Sequence, residues 1–236
     1  MLNFNPNSGD TNGNGTPGGP TGTGTPATPH GNTSWQNNGA NTNDPAMDLL
    51  INYNEKFKNA GPTLYRDEII KQTLSCLIGK FKPNALLIGA AGVGKTKIVE
   101  DIARRIANND PLIPQKLKKS TIWELPISNI IAGSGFVGDV EAKTKAILDF
   151  ASDTKNDVIL FIDEIHMLVD SGSKEYSKIA QIMKPALARG DIRVIGATTL
   201  QESQSLMNDP AFNRRFTRLI VDELSQEQTQ AILEQM

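Results

Sequence analysis

The stretch that most constrains this chain is Gly89-Ala90-Ala91-Gly92-Val93-Gly94-Lys95-Thr96. It satisfies the pattern G-x-x-x-x-G-K-[ST] in full, the sequence of a phosphate-binding loop. Its flanks agree. The apolar run Ala85-Leu86-Leu87-Ile88, bounded by Pro83, reads as a buried parallel strand. Ile98, Val99, Ile102, Ala103, Ile106 and Ala107 then recur at the spacing of one helix face. In the order strand, glycine loop, helix, main-chain N–H groups converge on a polyphosphate and the helix N-terminus adds its partial positive charge. Lys95 is then expected to reach the outer phosphates and the Thr96 hydroxyl to ligate Mg²⁺.

The remaining strong signals repeat that alternation, which is the rhythm of an α/β fold: a parallel sheet with helices on both faces. Thr121-Ile122-Trp123-Glu124-Leu125 reads as a strand, and helical spacing returns at Val140, Ala146, Ile147 and Phe150. Val158-Ile159-Leu160-Phe161-Ile162 is the most apolar strand and ends in Asp163-Glu164. Acidic groups at the carboxyl end of a central strand face the crevice where open α/β sheets bind ligands. Asp163 is expected to hold Mg²⁺, largely through water, and Glu164 to orient or deprotonate an attacking water. A helix over 174–187 carries Pro185 near its end. The strand Arg193 to Thr198 delivers Thr198-Thr199 to the same edge, where a hydroxyl can meet the γ-phosphate or the water. Arg214-Arg215 precede a strand at Leu219-Ile220-Val221 and, on the residues alone, read as a solvated pair.

Upstream, Met47, Leu49, Leu50, Tyr53 and Phe57 predict one amphipathic helix ended by Gly61-Pro62, followed by a second helix through Leu74 and Ile78. Before about Ala46 the chain is mostly Asn, Gly, Thr, Pro and Ser without one Lys or Arg, a composition that predicts a disordered tail over 1–45. As a flexible coil its ends would lie about 35–40 Å apart. His30 has no companions that would make a metal site, and Phe4 and Trp35 read as solvated. The formal net charge of −2 weighs against a wrapped polyanion. The single Cys76 falls among Leu74, Leu77 and Ile78, as a small core thiol does. No run has the apolar length of a membrane span, and the first residues lack a signal-peptide pattern, so the expected compartment is cytoplasmic, of a cell or of a virus-infected host.

On these motifs the chain resembles the AAA+ ATPases, a group of P-loop NTPases, and within them the first nucleotide-binding domain of the Clp-type unfoldases and disaggregases. The resemblance covers residues 46–236. It rests on Gly89 to Thr96, Leu160-Phe161-Ile162-Asp163-Glu164-Ile165-His166, Lys184-Pro185-Ala186-Leu187-Ala188-Arg189-Gly190, Ile195-Gly196-Ala197-Thr198-Thr199-Leu200, and Arg214-Arg215-Phe216. The resemblance implies Thr199 as the sensor residue, Leu64 and Tyr65 as part of the adenine pocket, and Arg214 and Arg215 as arginine fingers. It implies Phe136, within Ala132-Gly133-Ser134-Gly135-Phe136-Val137-Gly138, as the pore aromatic that grips a threaded polypeptide, and Gly172 to Tyr176 as a secondary pore loop. Two departures are visible: Gly135 and Val137 stand where relatives carry basic residues, and Tyr65 stands where they carry glycine.

The implied activity is ATP hydrolysis with Mg²⁺ in a ring of identical or homologous subunits, hexameric in the family, coupled to polypeptide remodelling and in part of the group to a protease partner. Residues 46–224 are expected to form the nucleotide-binding subdomain. Ser225-Gln226-Glu227-Gln228 has a capping-box pattern and is expected to start a helical lid that is not completed by Met236. Two other readings stay open: a lid-less regulatory module that joins rings of a complete homologue, and a nucleic-acid-directed loader or helicase.

Overall fold

The computed structural model describes residues 44–80, 82–134, 137–170 and 172–234. The predicted tail therefore lies outside the described residues, apart from Asp44 and Pro45, and so does Phe136. Six strands form one sheet: β1 Ile51–Asn52, β2 Asn84–Ile88, β3 Thr121–Glu124, β4 Val158–Ile162, β5 Arg193–Thr198 and β6 Phe216–Ile220. Their spatial order is β1-β3-β4-β5-β2-β6. β3, β4, β5, β2 and β6 run parallel, whereas β1 joins the β3 edge antiparallel through Ile51 opposite Glu124 and Asn52 opposite Trp123. The sheet is thus mixed rather than all-parallel.

Both faces are covered, which explains why β2 and β4 read as unbroken apolar runs. Along β2, Ala85 and Leu87 turn to one side, where they pack with α1 (Tyr53–Phe57), α2 (Asp67–Leu77) and α3 (Lys95–Ala107). Leu86 and Ile88 turn to the other, towards α5 (Val137–Ser152) and α7 (Lys174–Arg189). Alternation along one strand sends its side chains into two separate cores. Pro185 sits inside α7, which continues past it to Arg189 and stops where Gly190 takes φ +76°.

The single helix expected over Met47 to Phe57 is not there. Met47–Leu49 form one 3-10 turn, Leu50 is extended, Ile51–Asn52 make β1, and only then does α1 begin, capped by the Asn52 side chain on Glu55 N–H. The neighbouring edge decides this. The Asn54 side chain accepts from Ile122 N–H at 2.9 Å and donates to Ser120 O at 3.1 Å, satisfying backbone groups that the end of β3 leaves open. Short helices were also illegible: α4 (Ile127–Ile131), α6 (Met167–Asp170), α8 (Leu200–Asn208) and α9 (Pro210–Asn213) fall in stretches to which the sequence pattern assigns no element. α10 (Gln226–Leu233) starts with the expected capping box at Ser225 and Gln228.

Candidate active site

The glycine loop connects β2 to α3, and its shape depends on having no side chain at two points. A Cβ on Gly89 would lie 2.4 Å from Val221 O, so this residue must be glycine for β2 to exit beside the end of β6. Gly94, directly before α3, has φ +96°, the left-handed region that side chains disfavour. No side chain caps α3, so its first N–H groups open onto the crevice. Lys95 Nζ donates to Gly89 O and Ala90 O, each at 2.9 Å, closing the loop on itself. The Thr96 hydroxyl donates to Asp163 Oδ2 at 2.8 Å, joining the start of α3 to the end of β4.

After β4 the chain turns sharply. Glu164 N–H donates to Asp163 Oδ1 at 3.0 Å, and Glu164 itself has φ +49°. For a residue with a side chain that conformation costs about 1–2 kcal/mol. Ile165, fully buried, holds it: its N–H donates to Ala197 O of β5 at 3.1 Å. The strained turn leaves the Glu164 carboxylate exposed at the lip of the cleft, which suits a group that has to reach solvent and substrate.

The end of β5 supplies the opposite wall. Thr198 is buried, and Thr199 caps α8: its hydroxyl donates to Glu202 Oε2 at 2.7 Å and accepts from Glu202 N–H at 3.3 Å. His166 Nδ1 lies 3.1 Å from the Thr198 hydroxyl and 3.4 Å from Glu202 Oε2. The hydrogen bond from Thr199 holds the Glu202 carboxyl below the usual carboxylate range, outweighing the opposing effect of burial, with help from the Thr199 N–H and His166. Together Gly92, Gly94, Lys95, Thr96, Asp163, Glu164, Thr199 and Glu202 line a polar cleft of about 370 Å³.

A second cleft of about 480 Å³ adjoins the first, sharing Gly94 and Lys97 with it. It is mostly apolar, formed by Pro62, Leu64, Val93, Leu224 and Ile232. Leu64, implied by the resemblance as part of the adenine pocket, lines this cleft; Tyr65 is half exposed beside it and does not. Tyr65 has φ +58°, so its place in the chain suits the glycine of the relatives on backbone grounds. Arg66, buried at the back, donates to Val93 O in the glycine loop and to Asp222 O after β6, each at 2.8 Å.

Arg214 and Arg215 follow α9, a single turn with Asp209 at its N-cap and Pro210 as its first residue. The structure does not bring them to the cleft lining; Arg214 is exposed, and neither side chain makes an ion pair among the described residues. Burial pushes the Asp209 carboxyl up, but the ion pair from Lys184 at 2.6 Å and the Ala211 N–H leave it below its ordinary value. That gives Lys184, singled out only by resemblance, a physical partner.

The cleft fits Mg²⁺ and a polyphosphate on its donor set. A hydroxyl and a carboxylate already within hydrogen-bonding distance are hard oxygen ligands, and no group of three His, Cys, Asp or Glu able to hold a metal occurs among the described residues. Mg²⁺ is commonly held by one or two protein oxygens with water and phosphates completing the shell. Residues 85–224 match the model of the ATPase family associated with various cellular activities, AAA.

The chain belongs to the AAA ATPase family.

The members of that family are, by its description, ATPases. Among AAA relatives, the chaperone protein ClpB of Aquifex aeolicus is 44% identical over 187 residues, which is 78% of this chain and 18% of the relative. ClpB of Vibrio cholerae is 39% identical over 207 residues, 83% of this chain and 24% of the relative. Two solved structures of yeast Hsp104 superpose on 80% of this chain at 38% identity. The complex with casein has a TM-score of 0.72 and is covered over 32% of its chain; the ADP complex has 0.71 and is covered over 26%. The chain thus spans about a fifth to a third of the length of these relatives. AAA members of the ClpB and Hsp104 type are its homologues.

Sequence reasoning missed three residues of this site: Arg66, His166 and Glu202. Only one had a usable local signal. Thr199-Leu200-Gln201-Glu202 fits the S/T-x-x-E capping box. The other two act through partners 27 or more residues away.

Proposed function

We propose that this chain binds Mg²⁺-ATP at the polar cleft, hydrolyses it, and works beside identical or homologous AAA subunits in a ring that remodels polypeptides. The observation that carries this reading is the convergence of Lys95, Thr96, Asp163 and Glu164 on one cleft at the carboxyl edge of β2, β4 and β5. Bound Mg²⁺-ATP supplies the phosphoanhydride that water attacks. Gly89 to Gly94 and the start of α3 offer main-chain N–H groups for phosphate oxygens, and Lys95, which now donates to two loop carbonyls, has the reach to turn onto them. Thr96 and Asp163 would hold the metal, Asp163 largely through water. Glu164 accepts the proton of the attacking water or orients it. Leu64 and its apolar neighbours receive the base.

Arg214 and Arg215 are proposed as fingers for a neighbouring subunit's nucleotide, a role supported by the exposure of Arg214 and by the absence of both from the lining of the chain's own cleft. Such a finger contributes about 10³–10⁵ in rate. Phe136 is proposed as the substrate-gripping aromatic, residues 46–224 as the nucleotide-binding body, and residues 225–236 as the opening of a further helical unit. A yeast homologue in complex with casein supports a polypeptide substrate.

The decisive measurement sizes the purified protein with and without ATP while following phosphate release. Assembly on ATP with turnover that rises with protein concentration is expected. Turnover that stays constant per subunit, together with tight ATP binding, would remove the ring from the proposal. Loss of substrate processing in Phe136→Ala with hydrolysis retained is expected; loss of both would make Phe136 a packing residue.

A further inference from the structure

Thr199 faces the cleft with its single proton already committed. A threonine hydroxyl donates one hydrogen bond and accepts up to two. The Thr199 proton goes to Glu202 Oε2 at 2.7 Å, and one lone pair takes Glu202 N–H at 3.3 Å. In this state the hydroxyl can accept from a water but has nothing to give a phosphate oxygen, which only accepts. A direct contact from Thr199 to a terminal phosphate therefore needs Glu202 to let go.

Glu202 is equipped to do so. Its Oε2 also accepts from Thr199 N–H at 3.1 Å and from the Thr198 hydroxyl at 3.4 Å, with His166 Nδ1 at 3.4 Å. Release of one hydroxyl leaves the carboxylate with three neighbours. The charge balance of the cleft also matters. Glu100, Asp163, Glu164 and Glu202 face Lys95 and Lys97, so an arriving terminal phosphate meets Glu202 as a like charge contending for the same proton.

We infer that Glu202 competes with the terminal phosphate of a bound nucleotide for the Thr199 hydroxyl, making Glu202 a positioning residue that weakens triphosphate binding relative to diphosphate and gives the Thr199 hydroxyl a different partner in each nucleotide state. The inference rests on the nucleotide-binding reading above. Without a terminal phosphate, Thr199 stays on Glu202 and can accept only. With one, the hydroxyl rotates onto it and Glu202 is retained by Thr198, the Thr199 N–H and His166. No covalent bond changes and the proton stays on Thr199.

Glu202→Gln tests this, because glutamine serves a capping box as well as glutamate does while its neutral amide oxygen is the weaker acceptor. Calorimetric titration with Mg²⁺ and either a non-hydrolysable ATP analogue or ADP is the measurement. Glu202→Gln is expected to tighten the analogue by about 3- to 10-fold and to move ADP less than about twofold. Removal of a negative charge could produce a similar preference without Thr199, so the substitution is repeated in Thr199→Val and Thr199→Ser backgrounds. The preference should vanish with valine and persist with serine. Persistence with valine, or an equal shift for both nucleotides, overturns the competition and leaves nucleotide binding standing. Failure of the unmodified chain to bind either nucleotide overturns both.

Discussion

The two adjoining clefts recognise by opposite means. The polar one is made of main-chain groups, hydroxyls, two lysines and carboxylates, drawn mostly from segments that announce themselves in the sequence. The apolar one has no motif of its own: Val93 of the glycine loop is joined by Leu64, Leu224 and Ile232 from separated parts of the chain, and together they offer an apolar surface. Because the clefts share Gly94 and Lys97, one ligand can span both, with its charge in the first and its flat apolar part in the second. Under the proposed reading, the difference teaches that a phosphate site is set by local sequence, whereas a base site is set by how the fold closes around Leu64.

Four substitutions break or sharpen that division. Glu164→Gln should leave ATP affinity in place and lower phosphate release by about 10²–10⁴; equal turnover in the variant would take Glu164 out of the chemistry. Lys95→Ala removes one of the two lysine charges at the polar cleft and should weaken ATP by about 10- to 100-fold, the value of a charge-assisted hydrogen bond, in a fluorescence titration. Leu64→Ala acts on the apolar cleft alone. It should weaken ATP and ADP alike by about 5- to 20-fold and leave inorganic tripolyphosphate unaffected; a loss of tripolyphosphate binding would mean that the clefts are not separable. The smallest effect is at the rim. Tyr65→Gly relieves a left-handed side chain at the usual entropic cost of glycine, and should raise Tm by about 1–3 °C in a thermal melt.

What could be read in advance follows the same division. β4 and β5 were legible to the residue, because a strand buried on both faces carries a continuous apolar run. Asp163 and Glu164 were legible because they end such a run next to a phosphate loop. The region over Met47 to Phe57 misled, since two short turns around a two-residue strand can mimic helical spacing; Asn52 and Asn54, which fix the break, take their meaning from Glu55 and from β3. Arg66 carries no signal of its own in the sequence. Only the fold reveals that its guanidinium is enclosed between the glycine loop and the strand exit of β6, with burial lowering its pKa despite nearby Asp222. Thr199 carried its capping signal in plain view, but its consequence for proton ownership required the coordinates of His166 and Thr198.

That enclosed guanidinium also fixes how force can travel through the molecule. Val93 and Asp222 are 129 residues apart in the chain, yet both carbonyls grip one side chain. A pull on the helix that follows Asp222 is therefore felt at the bend of the glycine loop through two hydrogen bonds, a short and stiff linkage of the sort a lever needs at its pivot.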